Sequence, residues 1–105
     1  MQEIANLRKN IIKMLKKEKL RLNNVLINIV KDNEEEYYII LEKEKYWASI
    51  VIANPYYAPY KNVSFEIYRV DDAKIIFSYY DNENTTFHEN IEKIDEIMDY
   101  FINIS

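Results

Sequence analysis

Apolar positions along the chain change their spacing twice. Between residues 3 and 20 they fall at Ile4, Leu7, Ile11, Met14 and Leu15. Steps of three and four draw one stripe down a helix, with lysines and arginines on the other side. Val25–Val30 is rich in β-branched residues, interrupted only by Asn28, and reads as a strand. Lys31–Glu36 is a polar turn. Over Tyr37–Leu41, Tyr46–Ala53, Val63–Val70 and Ile75–Tyr80 the period becomes two. Val63, Phe65 and Ile67 alternate with Ser64, Glu66 and Tyr68, and Ile75, Phe77 and Tyr79 with Ile76, Ser78 and Tyr80, so each first set is expected on a dry face. The short Asp71-Asp72 connection suits a tight hairpin in which Asp takes up the left-handed backbone region in place of Gly. No crossover helix separates these strands, so they form an antiparallel meander.

The last helix carries the sharpest boundary. Thr86-Phe87-His88-Glu89 is a capping box: the Thr hydroxyl accepts the Glu89 amide and the Glu carboxylate reaches back to the Thr86 amide. Ile91, Ile94, Ile97, Met98 and Phe101 then form a stripe, with Glu92, Asp95, Glu96 and Asp99 outside it. The expected architecture is α+β: an N-terminal helix, an antiparallel meander of about five strands, and a C-terminal helix, with both helices on one sheet face. Residues 1–105 form a single domain.

Composition narrows the chemistry. The 105 residues include ten Tyr, four Phe and one Trp but no Gly and no Cys. Without Cys there is no disulfide scaffold, cysteine nucleophile or thiolate zinc site. Without Gly there is no phosphate-cradling loop, dinucleotide fingerprint or nucleophile elbow, all of which bring backbone close to a ligand or turn it at positive φ. Charge is unevenly spread. Residues 1–22 hold seven Lys/Arg against Glu3 and Glu18, while the remainder holds seven basic and sixteen acidic residues, a net −9 that returns −4 for the whole. An acidic body repels phosphates and attracts a basic partner, whereas seven cations around one helix read as a solvated face, so no direct nucleic-acid contact is expected. The polar start, Met1-Gln2-Glu3-Ile4-Ala5-Asn6, lacks the apolar run of a secretory leader, and the longest apolar stretches are too short to span a bilayer. A cytoplasmic, membrane-free protein is the expectation.

Candidate catalytic groups are sparse. His88 is the sole histidine and opens a helix, where it reads as an exposed residue; a lone His lacks the partners that catalysis or metal binding needs. The carboxylates Glu34–Glu36 and Asp71–Asp72 lie in turns without a Gly-containing calcium-loop spacing, and no serine has a nucleophile-elbow setting. Neither an enzyme nor a cofactor nor a metal site is expected. The most unusual segment is Asn54-Pro55-Tyr56-Tyr57-Ala58-Pro59-Tyr60-Lys61. Two prolines stiffen a loop whose tyrosines either meet a partner or fold back as a lid on the core. Tyr68 and Tyr80, expected on the wet face, add aromatic surface there, amid too many carboxylates for an RNA platform. Trp47 opens the most apolar strand and reads as a core anchor.

The succession of a basic amphipathic helix, Tyr38-Ile39-Ile40-Leu41-Glu42, Tyr46-Trp47-Ala48-Ser49-Ile50-Val51-Ile52, Val63-Ser64-Phe65-Glu66-Ile67, Ile75-Ile76-Phe77-Ser78-Tyr79-Tyr80 and the acidic helix Ile94-Asp95-Glu96-Ile97-Met98-Asp99-Tyr100-Phe101 resembles the TriTu-type immunity proteins of bacterial contact-dependent growth inhibition. The likeness spans residues 20–103 and is a pattern of elements, with no signature residue to carry over. It implies a cytoplasmic antitoxin that binds a cognate C-terminal toxin domain, similar to RNases that cleave tRNA, in some cases with the translation factor EF-Tu nearby. A nuclease needs a basic groove, which an acidic, aromatic protein occupies or flanks. The expected contact surface combines Tyr56, Tyr57 and Tyr60 with Glu34, Glu35, Glu36, Asp71 and Asp72, on a monomer or a weak homodimer paired through a sheet edge. A phage-encoded acidic inhibitor of a host defence nuclease obeys the same physics.

Overall fold

The computed structural model describes residues 2–54 and 61–104. Helix α1 (Gln2–Lys17) leads into strands β1 (Leu26–Asp32), β2 (Tyr37–Glu42), β3 (Tyr46–Ile52), β4 (Val63–Arg69) and β5 (Lys74–Tyr80), and helix α2 (Phe87–Asn103) follows. The strands form one antiparallel sheet in the order β1-β2-β3-β4-β5. This is the expected meander between two helices.

Both helices lie on one face, where their stripes meet the in-phase strand residues. Ile4, Leu7, Ile11 and Met14 of α1 and Ile94, Ile97, Met98 and Phe101 of α2 share a core with Tyr37, Ile39 and Leu41 of β2, Ala48, Ile50 and Ile52 of β3, and Val63, Phe65 and Ile67 of β4. Burying such side chains contributes on the order of 1.5–3 kcal/mol each, which is what holds the two layers together. α1 stops at Lys17, three residues before the expected end; the chain then runs through turns in which Leu22 is buried but Leu20 is 90% exposed. A last turn with no apolar residue on the core side has nothing to keep it helical. Glu3 in the first turn and Lys16 and Lys17 in the last complement the helix dipole.

α2 begins as expected. Thr86 Oγ1 accepts the Glu89 N–H at 3.1 Å and a Glu89 carboxylate oxygen accepts the Thr86 N–H at 3.0 Å. Its C-terminus is closed from a distance: Lys43 Nζ donates to the carbonyls of Phe101, Ile102 and Ile104 at 2.9, 3.1 and 2.5 Å. A cation at that end satisfies the carbonyls the helix leaves unpaired and opposes the negative pole of its dipole. Desolvation beside the Phe101 ring pushes the Lys43 ammonium below its ordinary pKa.

Three local expectations are corrected. β1 runs on to Asp32, because Arg8 of α1 grips the Asp32 carboxylate at 2.6 and 2.9 Å and Asn33, not Lys31, starts the turn. The Asn33 side chain accepts the Glu35 and Glu36 amides at 2.8 and 2.9 Å, an Asx turn. In the β4–β5 hairpin the left-handed residue is Ala73, at φ 55°, and not an aspartate. Asp72 instead holds Arg69 and accepts the Lys74 amide, so its side chain fixes the turn from outside. A register shift after Ile67 then sets Ile75 opposite Tyr68, on the sheet face away from the helices, and it is 45% exposed.

Candidate functional site

The second face of the sheet is covered by no described element. β2 supplies Tyr38, Ile40 and Glu42; β3 supplies Trp47, Ser49 and Val51; β4 supplies Ser64, Glu66 and Tyr68; β5 supplies Ile75, Ser78 and Tyr80. Each is one residue out of phase with the core-facing set, because successive side chains alternate across a strand. Trp47 belongs to this face and is 41% exposed, which corrects its expected role as a core anchor. Both parities of β3 are apolar, and the phase is settled by pairing: Ala48, Ile50 and Ile52 sit opposite Ile67, Phe65 and Val63.

Glu66 organises the middle of the face. Tyr68 Oη donates to one Glu66 oxygen at 2.8 Å and Tyr80 Oη donates to the other. That second hydrogen bond, reinforced by burial and the carboxylate's charge, pushes the Tyr80 phenol up to about 12. Burial first, and then Glu66, raises the Tyr68 phenol as well. Both phenols thus stay protonated donors near neutral pH. Beside them, Tyr38, Ile40, Trp47, Ser49, Tyr68, Arg69, Val70 and Ala73 line a hollow of about 450 Å³. Its cation, Arg69, is engaged by both Asp72 oxygens at 3.1 and 2.6 Å. The Arg69 hydrogen bond holds the Asp72 carboxyl at about 2, well below its ordinary value.

The carboxylates expected to act together are separated by the meander. Glu34, Glu35 and Glu36 lie in the β1–β2 turn at one end of the strands, and Asp71 and Asp72 lie in the β4–β5 turn at the other. Seven-residue strands and three inter-strand spacings put the two corners roughly 25 Å apart on the diagonal. Glu34 and Glu35 are exposed, while Glu36 pairs with Lys31 at 3.2 Å. Tyr56, Tyr57 and Tyr60 lie outside the described residues.

The residues flanking that tyrosine segment are held by a cluster the sequence reading missed. Asp81 is buried, and its Oδ1 accepts the backbone amides of Lys61, Asn62 and Val63 at 2.9, 2.8 and 2.9 Å. Its Oδ2 accepts the Asn90 side-chain amide at 3.1 Å, and Asn90 Oδ1 accepts the Tyr79 hydroxyl at 2.7 Å. Asn62 Nδ2 donates to the Ala53 carbonyl at 3.0 Å on the other side of the loop. One signal was available. Asn90, Ile94, Ile97 and Phe101 are spaced four, three and four apart, so Asn90 is a polar residue on a buried stripe and needs a partner.

The groups weighed for chemistry stay dispersed. His88 is exposed and, among the described residues, pairs with Glu92 at 3.0 Å, one turn on. Among the described residues no group of three or more His, Asp or Glu is placed to hold a metal ion. No described helix is long and apolar enough to cross a membrane. Lys9, Lys13, Lys16 and Lys17 are exposed on α1, in the helical layer and so on the opposite side of the sheet from the aromatic face. What the aromatic face offers is adhesion: large rings, fixed phenolic donors and a central carboxylate. Comparison of the chain with protein-family models, with curated proteins and with solved structures finds no match.

Proposed function

We propose that this chain is an immunity-type inhibitor that binds a basic toxin domain, a tRNA-cleaving nuclease in the reading given above, and covers its substrate groove. The observation that carries the proposal is the aromatic sheet face. It joins Tyr38, Trp47, Tyr68 and Tyr80 to the carboxylates Glu42 and Glu66; of the cations at its margin, Lys31 and Arg69 are ion-paired, while Lys45 and Lys74 are exposed. Rigid aromatic rings contribute most of the affinity at protein interfaces, and complementary charge speeds encounter. A standard interface of about 800 Å² per partner is roughly 30 Å across. A partner lying across this face therefore reaches both acidic corners, Glu34–Glu36 and Asp71–Asp72, which no end-on contact does. The carboxylates serve as a rim around an aromatic centre.

The test is capture by the tagged chain from its native host, followed by assay of the captured protein. The expected result is one dominant basic partner whose cleavage of tRNA falls to zero at equimolar inhibitor. Capture of no basic protein, or full nuclease activity within the complex, overturns the proposal.

A further inference from the structure

Within the aromatic face, the hollow between β2, β3 and β4 has a chemistry of its own. Tyr38, Trp47 and Tyr68 give it three aromatic walls. Ser49, which also lines it, sits directly across from Glu66 in the β3–β4 register, and the Tyr68 hydroxyl donates to that carboxylate at 2.8 Å. Glu66 stands behind this lining, not in it, and its charge reaches the edge of the hollow through the Tyr68 hydroxyl. Arg69 on the wall adds no net positive charge, because Asp72 holds it through two oxygens and Asp71 stands beside it. Ring faces attract cations through their quadrupole, and planar guanidinium also stacks on them. A carboxylate has acceptor sites for about four donors, so two tyrosine hydroxyls leave Glu66 room for more.

We infer that this hollow binds one arginine side chain of the basic partner, seated against Trp47 with its charge met by Glu66. The inference rests on the reading of the face as a surface for a basic protein and names the anchor that reading lacks. Its volume, about 450 Å³, lies within the range of pockets that enclose a small ligand. The acidic corners draw the partner in, and the hollow fixes its register.

The chain reports on the site itself, because Trp47 is its single tryptophan. Trp47 emission is followed while N-acetyl-argininamide is added, with N-acetyl-norleucinamide as the neutral probe of similar length. The arginine probe is expected to give a saturable change, about threefold or more tighter than the norleucine probe, and Glu66→Gln is expected to erase most of that preference. Amide shifts at Tyr38 and Ser49 provide a second readout, and circular dichroism confirms that the variant is folded. Equal binding of the two probes, or no saturable response, overturns the inference. With the captured partner, retention undiminished in Trp47→Ala and Glu66→Gln overturns the hollow while leaving the inhibitor reading in place. Arginine binding by a chain that captures no basic protein overturns the inhibitor reading alone.

Discussion

Removing the Asp81 carboxylate strands three donors together, the amides of Asn62 and Val63 and the Asn90 side chain, while the Lys61 amide keeps the Asp81 main-chain carbonyl at 3.2 Å. Buried donors without acceptors are costly, so Asp81→Ala is expected to lower unfolding stability by about 3–5 kcal/mol in urea titrations. Asp81→Asn is expected to cost less, about 1–2 kcal/mol, because its carbonyl still faces the three amides while the Asn90 amide turns over to accept. Equal losses would show that charge, and not acceptor number, matters at this position. At the opposite end of the sheet, Asp72 acts on the surface. Its pKa is depressed to about 2 by Arg69, so any stability it contributes is complete above its unfolded value and is lost as pH falls toward 2. Carboxyl titration by NMR should find Asp72 still ionised at pH 3, below the ordinary range of an aspartate carboxyl.

At the scale of single elements, the β4–β5 hairpin carries the clearest strain. Ala73 at φ 55° places a Cβ where L-residues crowd the carbonyl, a position glycine adopts freely. Ala73→Gly is therefore expected to raise stability by up to about 1 kcal/mol despite the added flexibility of the unfolded chain, read as a higher urea midpoint with unchanged slope. β1 is the other exposed element. Leu26, Ile29 and Val30 are 60%, 61% and 52% exposed on an edge strand. The register shift between Ile29 and Lys31 bends this edge away from a regular ladder, one of the ways natural sheets discourage edge pairing.

For the whole molecule, charge and shape divide the surface into unlike sides. The helical layer sets a lysine-lined α1 next to an acidic α2, which Arg21 of the α1–β1 connection reaches through Asp99 at 2.5 Å. The aromatic side has carboxylates at its centre and at two diagonal corners. If the partner lies across that side, Glu34→Lys with Glu35→Lys, and separately Asp71→Lys, should each slow association and flatten its salt dependence, while dissociation changes little. Stopped-flow association at low and physiological salt checks this. An effect at only one corner would mean that the partner sits on one end of the sheet and not across it.

Much of the architecture was legible along the chain, because helix and strand periodicity and the Thr86–Glu89 box are local patterns whose burial is settled within a few residues. The order of elements, the shared helical side and most of the core follow from it. Tertiary pairing decided the rest. Trp47 faces outward because β4 fixes the phase of β3, and Ile75 crosses to the aromatic side because of a bulge that no periodicity encodes. Asp81 became a clamp only when β5, α2 and the start of β4 met around it, across nine to twenty residues of sequence. The acidic turns moved apart for the same reason: a meander sends the turns after β1 and β4 to opposite ends, a fact of strand count and direction that their composition does not contain.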